Sequence, residues 1–154
     1  MSAYIDGLKL LGRRELSVAQ LRSRLIDRDH PAEETDQAIA TLLENGALDD
    51  RRVARAYART ASKIKGRGRL RVSRELQAMG IAKEVVAEAV AEVFSDLDER
   101  ALIDRAIQKK LRGGTKPSTM QERARLYQFL MRQGFTPAAV SAAMGRQGAT
   151  ADEL

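Results

Sequence analysis

The chain contains no cysteine and no tryptophan, one histidine and three prolines among its 154 residues. Without cysteine there is no disulfide frame, no thiol nucleophile and no thiolate metal site. His30, the lone histidine, has neither a second imidazole nor a thiol to join it, so it reads as structural or exposed and no metal centre is expected. Runs of about 18 apolar residues are missing, and residues 1–11 lack a basic block ahead of a long apolar stretch. The expectation is a cytoplasmic protein with no membrane partner.

Catalytic signatures are equally scarce. There is no Gly-x-Ser-x-Gly nucleophile elbow. The segment 113–118 (Gly-Gly-Thr-Lys-Pro-Ser) lacks the spacing of a phosphate loop and follows a helical pattern where a strand is needed. Gly66-Arg67-Gly68 is too short for a dinucleotide fingerprint, and Asp49-Asp50 reads as a helix cap rather than a cation site. No enzyme activity and no cofactor are expected.

What is abundant is alanine and leucine, residues that lose little freedom in a helix. Cap and stop signals divide the chain into about nine helices, and no window alternates like a strand. Helix one covers residues 3–14, with Tyr4, Leu8 and Leu11 on one face. Ser17 heads a capping box with Gln20, Pro31 sits in the first turn of helix three, and Gly46 closes that helix in a left-handed conformation. Asp49 or Asp50 caps helix four, which Gly66 and Gly68 break. Helix five buries Leu70, Val72, Leu76 and Met79 and ends at Gly80. Helices six and seven cover residues 82–94 and 98–112, ahead of a loop at 113–117. Ser118 or Thr119 caps helix eight, Gly134 stops it, and Thr136 with Pro137 opens helix nine. The chain beyond Gly145 loses periodicity and is expected to fray.

The helices repeat. Leu21, Leu25, Asp29, Ile39 and Leu42 align with Val72, Leu76, Gly80, Val90 and Val93. Leu126, Leu130, Gly134, Ala143 and Met144 match the same copy. Asp29, which tolerates a left-handed backbone better than most residues, stands where the other copies have glycine. The predicted architecture is all-α, an elongated tandem array of three three-helix modules at residues 1–48, 49–96 and 97–146, with a tail at 147–154.

The net charge of +6 is concentrated in one place. Residues 49–75 carry ten basic side chains against three acidic ones, while 1–48, 76–112 and 113–154 contribute −2, −1 and +2. Arg51, Arg55, Arg59 and Lys63 recur at four-residue spacing on one helix face. Lys65, Arg67 and Arg69 ride on an elbow whose glycines permit flexibility and close backbone approach, and Arg71 and Arg74 follow one turn apart. These nine are the candidate contact residues, and the preponderance of arginine suits phosphates or carboxylates. Tyr57 is the one aromatic in the segment and its spacing assigns it to the core, so base-specific reading is not expected. Arg67→Ala with Arg69→Ala is expected to weaken binding without lowering the melting temperature.

Four stretches follow one another along the chain, each similar to a motif of one protein family. Leu10-Leu11-Gly12-Arg13-Arg14-Glu15-Leu16-Ser17 is similar to its Leu-Leu-x-x-Arg-x-x-Ser opening. Gly46-Ala47-Leu48-Asp49-Asp50-Arg51-Arg52-Val53-Ala54 resembles Gly-x-Leu-Asp-Asp-x-x-Phe-Ala. Lys65-Gly66-Arg67-Gly68 leads to Arg74-Glu75-Leu76 and Met79-Gly80-Ile81, and Leu130-Met131-Arg132-Gln133-Gly134-Phe135 is close to Leu-x-Arg-Arg-Gly-Phe. Arg28-Asp29-His30 departs from the family's basic residue, glycine and aromatic. Taken in this order, the stretches resemble the RecX family of bacterial recombination regulators, and the resemblance implies binding in the groove of the RecA filament on single-stranded DNA, with restraint of RecA's ATP hydrolysis, strand exchange and coprotease activity. Weak direct DNA binding is compatible with the charge, and the lack of a coiled-coil seam or spare apolar face suits a monomer. The alternative is a free-standing helix-turn-helix DNA-binding module. Its reading helix would be residues 82–94, whose Glu84, Glu88 and Glu92 against Lys83 alone repel phosphate.

Overall fold

The computed structural model describes residues 1–112, 114 and 116–152, with side chains as far as Gln147. Among these residues there are nine α-helices and no strand: α1 (Ala3–Arg13), α2 (Val18–Asp27), α3 (Ala32–Glu44), α4 (Asp50–Arg59), α5 (Arg69–Ala78), α6 (Lys83–Ser95), α7 (Glu99–Lys110), α8 (Met120–Arg132) and α9 (Pro137–Asp152). A π-helical turn, Thr60–Ile64, extends α4. Within it the buried Ser62 hydroxyl donates back to the Ala58 carbonyl at 2.7 Å, a bond that competes with the regular helical ladder. No described helix is long and apolar enough to cross a membrane.

Helix starts follow the polar residues that precede them. Ser17 and Gln20 form the reciprocal capping box. Asp98 accepts from the Ala101 N–H, Thr119 from Glu122 and Thr136 from Ala139. Of the aspartate pair, Asp49 takes the cap, accepting from Arg51 and Arg52, while Asp50 accepts from the Val18 N–H at 2.9 Å. Pro31 lies one residue ahead of α3 rather than inside its first turn.

The stops repeat atom for atom. Asp29, Gly80 and Gly134 have φ of 67°, 80° and 97°. In each copy the next residue donates its N–H to the leucine five positions back: His30 to Leu25, Ile81 to Leu76 and Phe135 to Leu130. This left-handed cap satisfies carbonyls that the helix would otherwise leave open.

The chain folds into two compact units: unit 1 is Met1–Tyr57 with Glu75–Ala89, and unit 2 is Ala58–Arg74 with the chain from Val90 on. Unit 1 is built on Leu10, Leu16, Leu21, Leu25, Ile39, Leu42 and Leu48, with Tyr4 and Leu11 packed at its edge. Leu8 departs from the expected face: it is exposed, and α1 turns Ala3, Asp6, Gly7 and Leu10 inward. A Cβ on Gly7 would lie 3.2 Å from Leu42 Cδ1, so α1 and α3 approach closely there. The buried Asp6 carboxylate has two partners on one oxygen, Arg28 Nε at 2.6 Å and His30 Nε2 at 2.7 Å. The Arg28 hydrogen bond, with His30 adding to it against the cost of burial, holds Asp6 below its ordinary pKa. His30 is thus a structural residue.

Unit 2 packs α7, α8 and α9 around Ile103, Leu126, Leu130, Phe135 and Val140, with Val72, Val93 and Phe94 also buried. Leu70 corrects the sequence reading: it is exposed, and Val72 carries the buried stripe of this part of α5. Helix α9 also continues past Gly145 to Asp152, so the expected fraying point does not end it. The loop expected at 113–117 includes Gly113 and Thr115, which lie outside the described residues, as do residues 153 and 154 of the expected tail.

Candidate polyanion-binding surface

The nine candidate cations divide between the units. Arg51 and Arg55 belong to unit 1, while Arg59, Lys63, Lys65, Arg67, Arg69, Arg71 and Arg74 belong to unit 2. In unit 1, Arg51 is exposed and lies 3.3 Å from the equally exposed Glu88, a geometry of little energetic weight. Its neighbour Arg52 has a structural role, bonding Glu15 and the carbonyls of Gly46 and Ala47. The Glu15 hydrogen bond raises the Arg52 pKa further. Arg55 is half-buried.

In unit 2 the elbow is pinned rather than flexible. The Gly68 N–H donates to the Gln133 carbonyl at 2.8 Å and the Leu70 N–H to the Gly134 carbonyl at 2.9 Å. A Cβ on Gly68 would come within 2.5 Å of the Gly134 and Phe135 backbone, and one on Gly134 within 2.2 Å of Arg71 Cβ. Two backbones meet there at a distance only glycine permits.

The pinning sorts the cations. Arg69 pairs with Glu99 and its guanidinium lies 5.3 Å from the Phe94 ring centroid, which makes it a packing residue as much as a candidate contact. Arg71 Nη1 donates to Gln133 Oε1 at 2.9 Å. Arg59, Lys63, Lys65 and Arg74 are exposed and form no ion pair among the described residues.

Two concavities of unit 2 collect cations that are remote in sequence. One, of about 810 Å³, sets Arg71 and Arg74 beside Tyr127, Met131 and Arg132 of α8. Tyr127 is exposed, whereas Tyr57, the aromatic of the basic segment, is half-buried. The other sets Lys63 and Lys65 across from Arg105, Lys109 and Lys110 of α7. Sequence reasoning missed Tyr127, Arg132 and the three α7 cations. The i, i+4 spacing of Arg105 and Lys109 was the only local signal, and it lay in a segment of net negative charge.

Repeated three-helix modules with an arginine-rich surface and tight glycine-mediated backbone contacts define a class of helical-repeat scaffold. Family models of the first, second and third three-helix domains of RecX match residues 3–42, 49–90 and 98–144. The chain belongs to the RecX family. It is 34% identical over 146 residues to the regulatory protein RecX of Halorhodospira halophila, covering 95% of this chain and 86% of that one. With the regulatory protein RecX of Pelodictyon phaeoclathratiforme it shares 33% identity over 133 residues, covering 86% and 81%. The crystal structure of RecX from Lactobacillus salivarius has the same fold, with a TM-score of 0.83 at 16% identity over 96% of this chain and 95% of that one.

Proposed function

We propose that the chain binds the RecA filament on single-stranded DNA along its groove and restrains RecA's ATP hydrolysis, strand exchange and coprotease activity. Family membership is the observation that carries this reading. The chain acts by occupancy, as a cytoplasmic monomer without catalytic chemistry, and so serves recombination, DNA repair and the SOS response. The unpaired cations at Arg59, Lys63, Lys65 and Arg74 suit the mixture of phosphate and acidic protein surface that a nucleoprotein filament presents. Tyr127 beside Arg71, Arg74 and Arg132 offers one base a stacking surface flanked by cations, which supports a weak direct DNA contact.

The test is titration of the protein into RecA hydrolysing a large excess of ATP on single-stranded DNA, with matched binding to the same DNA alone. Loss of hydrolysis at concentrations that leave bare DNA unbound supports the filament as target. Unchanged hydrolysis with tight, steeply salt-dependent binding to bare DNA would sink the proposal and promote the helix-turn-helix reading.

A further inference from the structure

The geometry points to a ligand site in unit 2 that shares Lys63 and Lys65 with the proposed filament surface: the cleft between the π-turn and α7 takes a free nucleoside polyphosphate. Its volume is about 770 Å³, within the range of small-molecule pockets. Lys63 and Lys65 stand on one side, and Arg105, Lys109 and Lys110 on the other. No carboxylate is among the described lining residues, so five cations converge without an internal counter-ion. An anion from outside relieves their mutual repulsion.

The kind of cation narrows the anion. Four of the five are lysines, compact point charges that suit phosphate oxygens, whereas carboxylates are best matched by the arginine fork. This favours a phosphate ligand over an acidic peptide. The charge density narrows it again. A strand brings one charge per phosphate along its length, whereas a triphosphate places about four at one end of a small molecule. The apolar part of the cleft supplies the rest of the recognition. Ile64 is 76% exposed, and the Phe129 ring faces the Lys110 ammonium at 5.1 Å from its centroid. A nucleobase fits against these two side chains while its phosphates meet the lysines. With no carboxylate to hold Mg²⁺, the lysines take the metal's neutralising role, so excess Mg²⁺ competes with binding.

Its test uses the full chain without RecA or DNA, so its failure and the failure of filament binding are distinguishable. Isothermal titration with ATP in metal-free buffer should show saturable binding of one ATP per chain. Arg105→Ala with Lys109→Ala should weaken it by more than about tenfold, the factor that loss of even one charge-assisted hydrogen bond supplies. Both residues are exposed on α7 and lie outside the filament contacts, so the circular dichroism and melting temperature should hold. Phe129→Leu should weaken ATP while leaving inorganic triphosphate unchanged. Three results would each overturn the inference. One is no saturable ATP binding by the wild-type chain. Another is equal affinity for ATP and inorganic triphosphate, which would leave a cation cluster with no place for the base. The third is displacement of ATP by a short oligonucleotide whose own binding falls with the α7 double substitution.

Discussion

Three glycines of unit 2 separate the two reasons a glycine can be required, and alanine at each should give a different loss of stability. Gly66 has φ of +71° with nothing within 4 Å of an added Cβ, so Gly66→Ala meets backbone strain alone, about 1–2 kcal/mol. Gly68 is the opposite case. Its backbone is not left-handed, but its Cβ would stand 2.5 Å from three backbone atoms of Gly134 and Phe135. Overpacking of this kind costs about 1–3 kcal/mol, and backbone cannot rotate aside as a side chain can. Gly134 combines both, with φ of +97° and a Cβ 2.2 Å from Arg71 Cβ. Gly134→Ala should therefore cost about 2–5 kcal/mol, the sum of the other two. Urea unfolding of the full chain, followed by circular dichroism, reads the three midpoints. If Gly134→Ala costs no more than Gly66→Ala, the close backbone approach is not part of the native state, and the account of the pinned elbow fails.

Two further outcomes follow from the ion pairs. Asp6 has a folded-state pKa depressed below 3.8, so its contribution is complete above that value and is lost as the pH falls through the lower folded value. Asp6→Asn should flatten the acid limb of a plot of urea midpoint against pH between about 5 and 2, and an unchanged slope would rule Asp6 out as its source. Arg69→Ala removes both the Glu99 pair and the contact with Phe94 and should lower stability by about 1 kcal/mol. This departs from the sequence-based expectation for the Arg67 and Arg69 double change. A melting temperature unaltered by Arg69→Ala would return Arg69 to the set of uncommitted surface cations.

The legible parts of the sequence were those governed by short-range geometry. The capping box at Ser17 and Gln20 involves three residues of separation, and the stops at Asp29, Gly80 and Gly134 involve five, so residue type alone locates them. Asp29 was legible because a short polar side chain is the usual substitute for glycine at a left-handed position. Leu70 was misread against its own spacing: two residues before Val72, it lies about 200° around the helix from the buried stripe of Val72 and Leu76. At the elbow the close backbone approach was legible and the flexibility was misread. Gly-Arg-Gly suggests freedom when read locally, and only the backbone of residues 133–135, more than sixty positions away, shows that Gly68 is there for contact. Tyr127 and the α7 cations share that property: each meets its neighbours only after the chain has returned on itself.

Charge that a fold uses for its own stability is answered inside the fold. Arg28 and His30 meet Asp6, Arg52 meets Glu15, Arg69 meets Glu99, and Arg146 meets Asp104 at 2.9 Å. The exposed cations of residues 59–74 are handled otherwise. Fixing the elbow by two backbone hydrogen bonds to Gln133 and Gly134 holds Lys63, Lys65 and Arg74 near like charges without using their side chains. A solubilising face needs no such fixing, since solvated cations repel one another less when free to spread. Backbone rigidity beneath side chains left unpaired is what a binding surface requires, because the ordering cost has been met before the partner arrives. The distribution of pairing, more than the total of +6, is therefore what separates the cations committed to the fold from those, such as Arg59, Lys63, Lys65 and Arg74, that stay exposed and unpaired among the described residues.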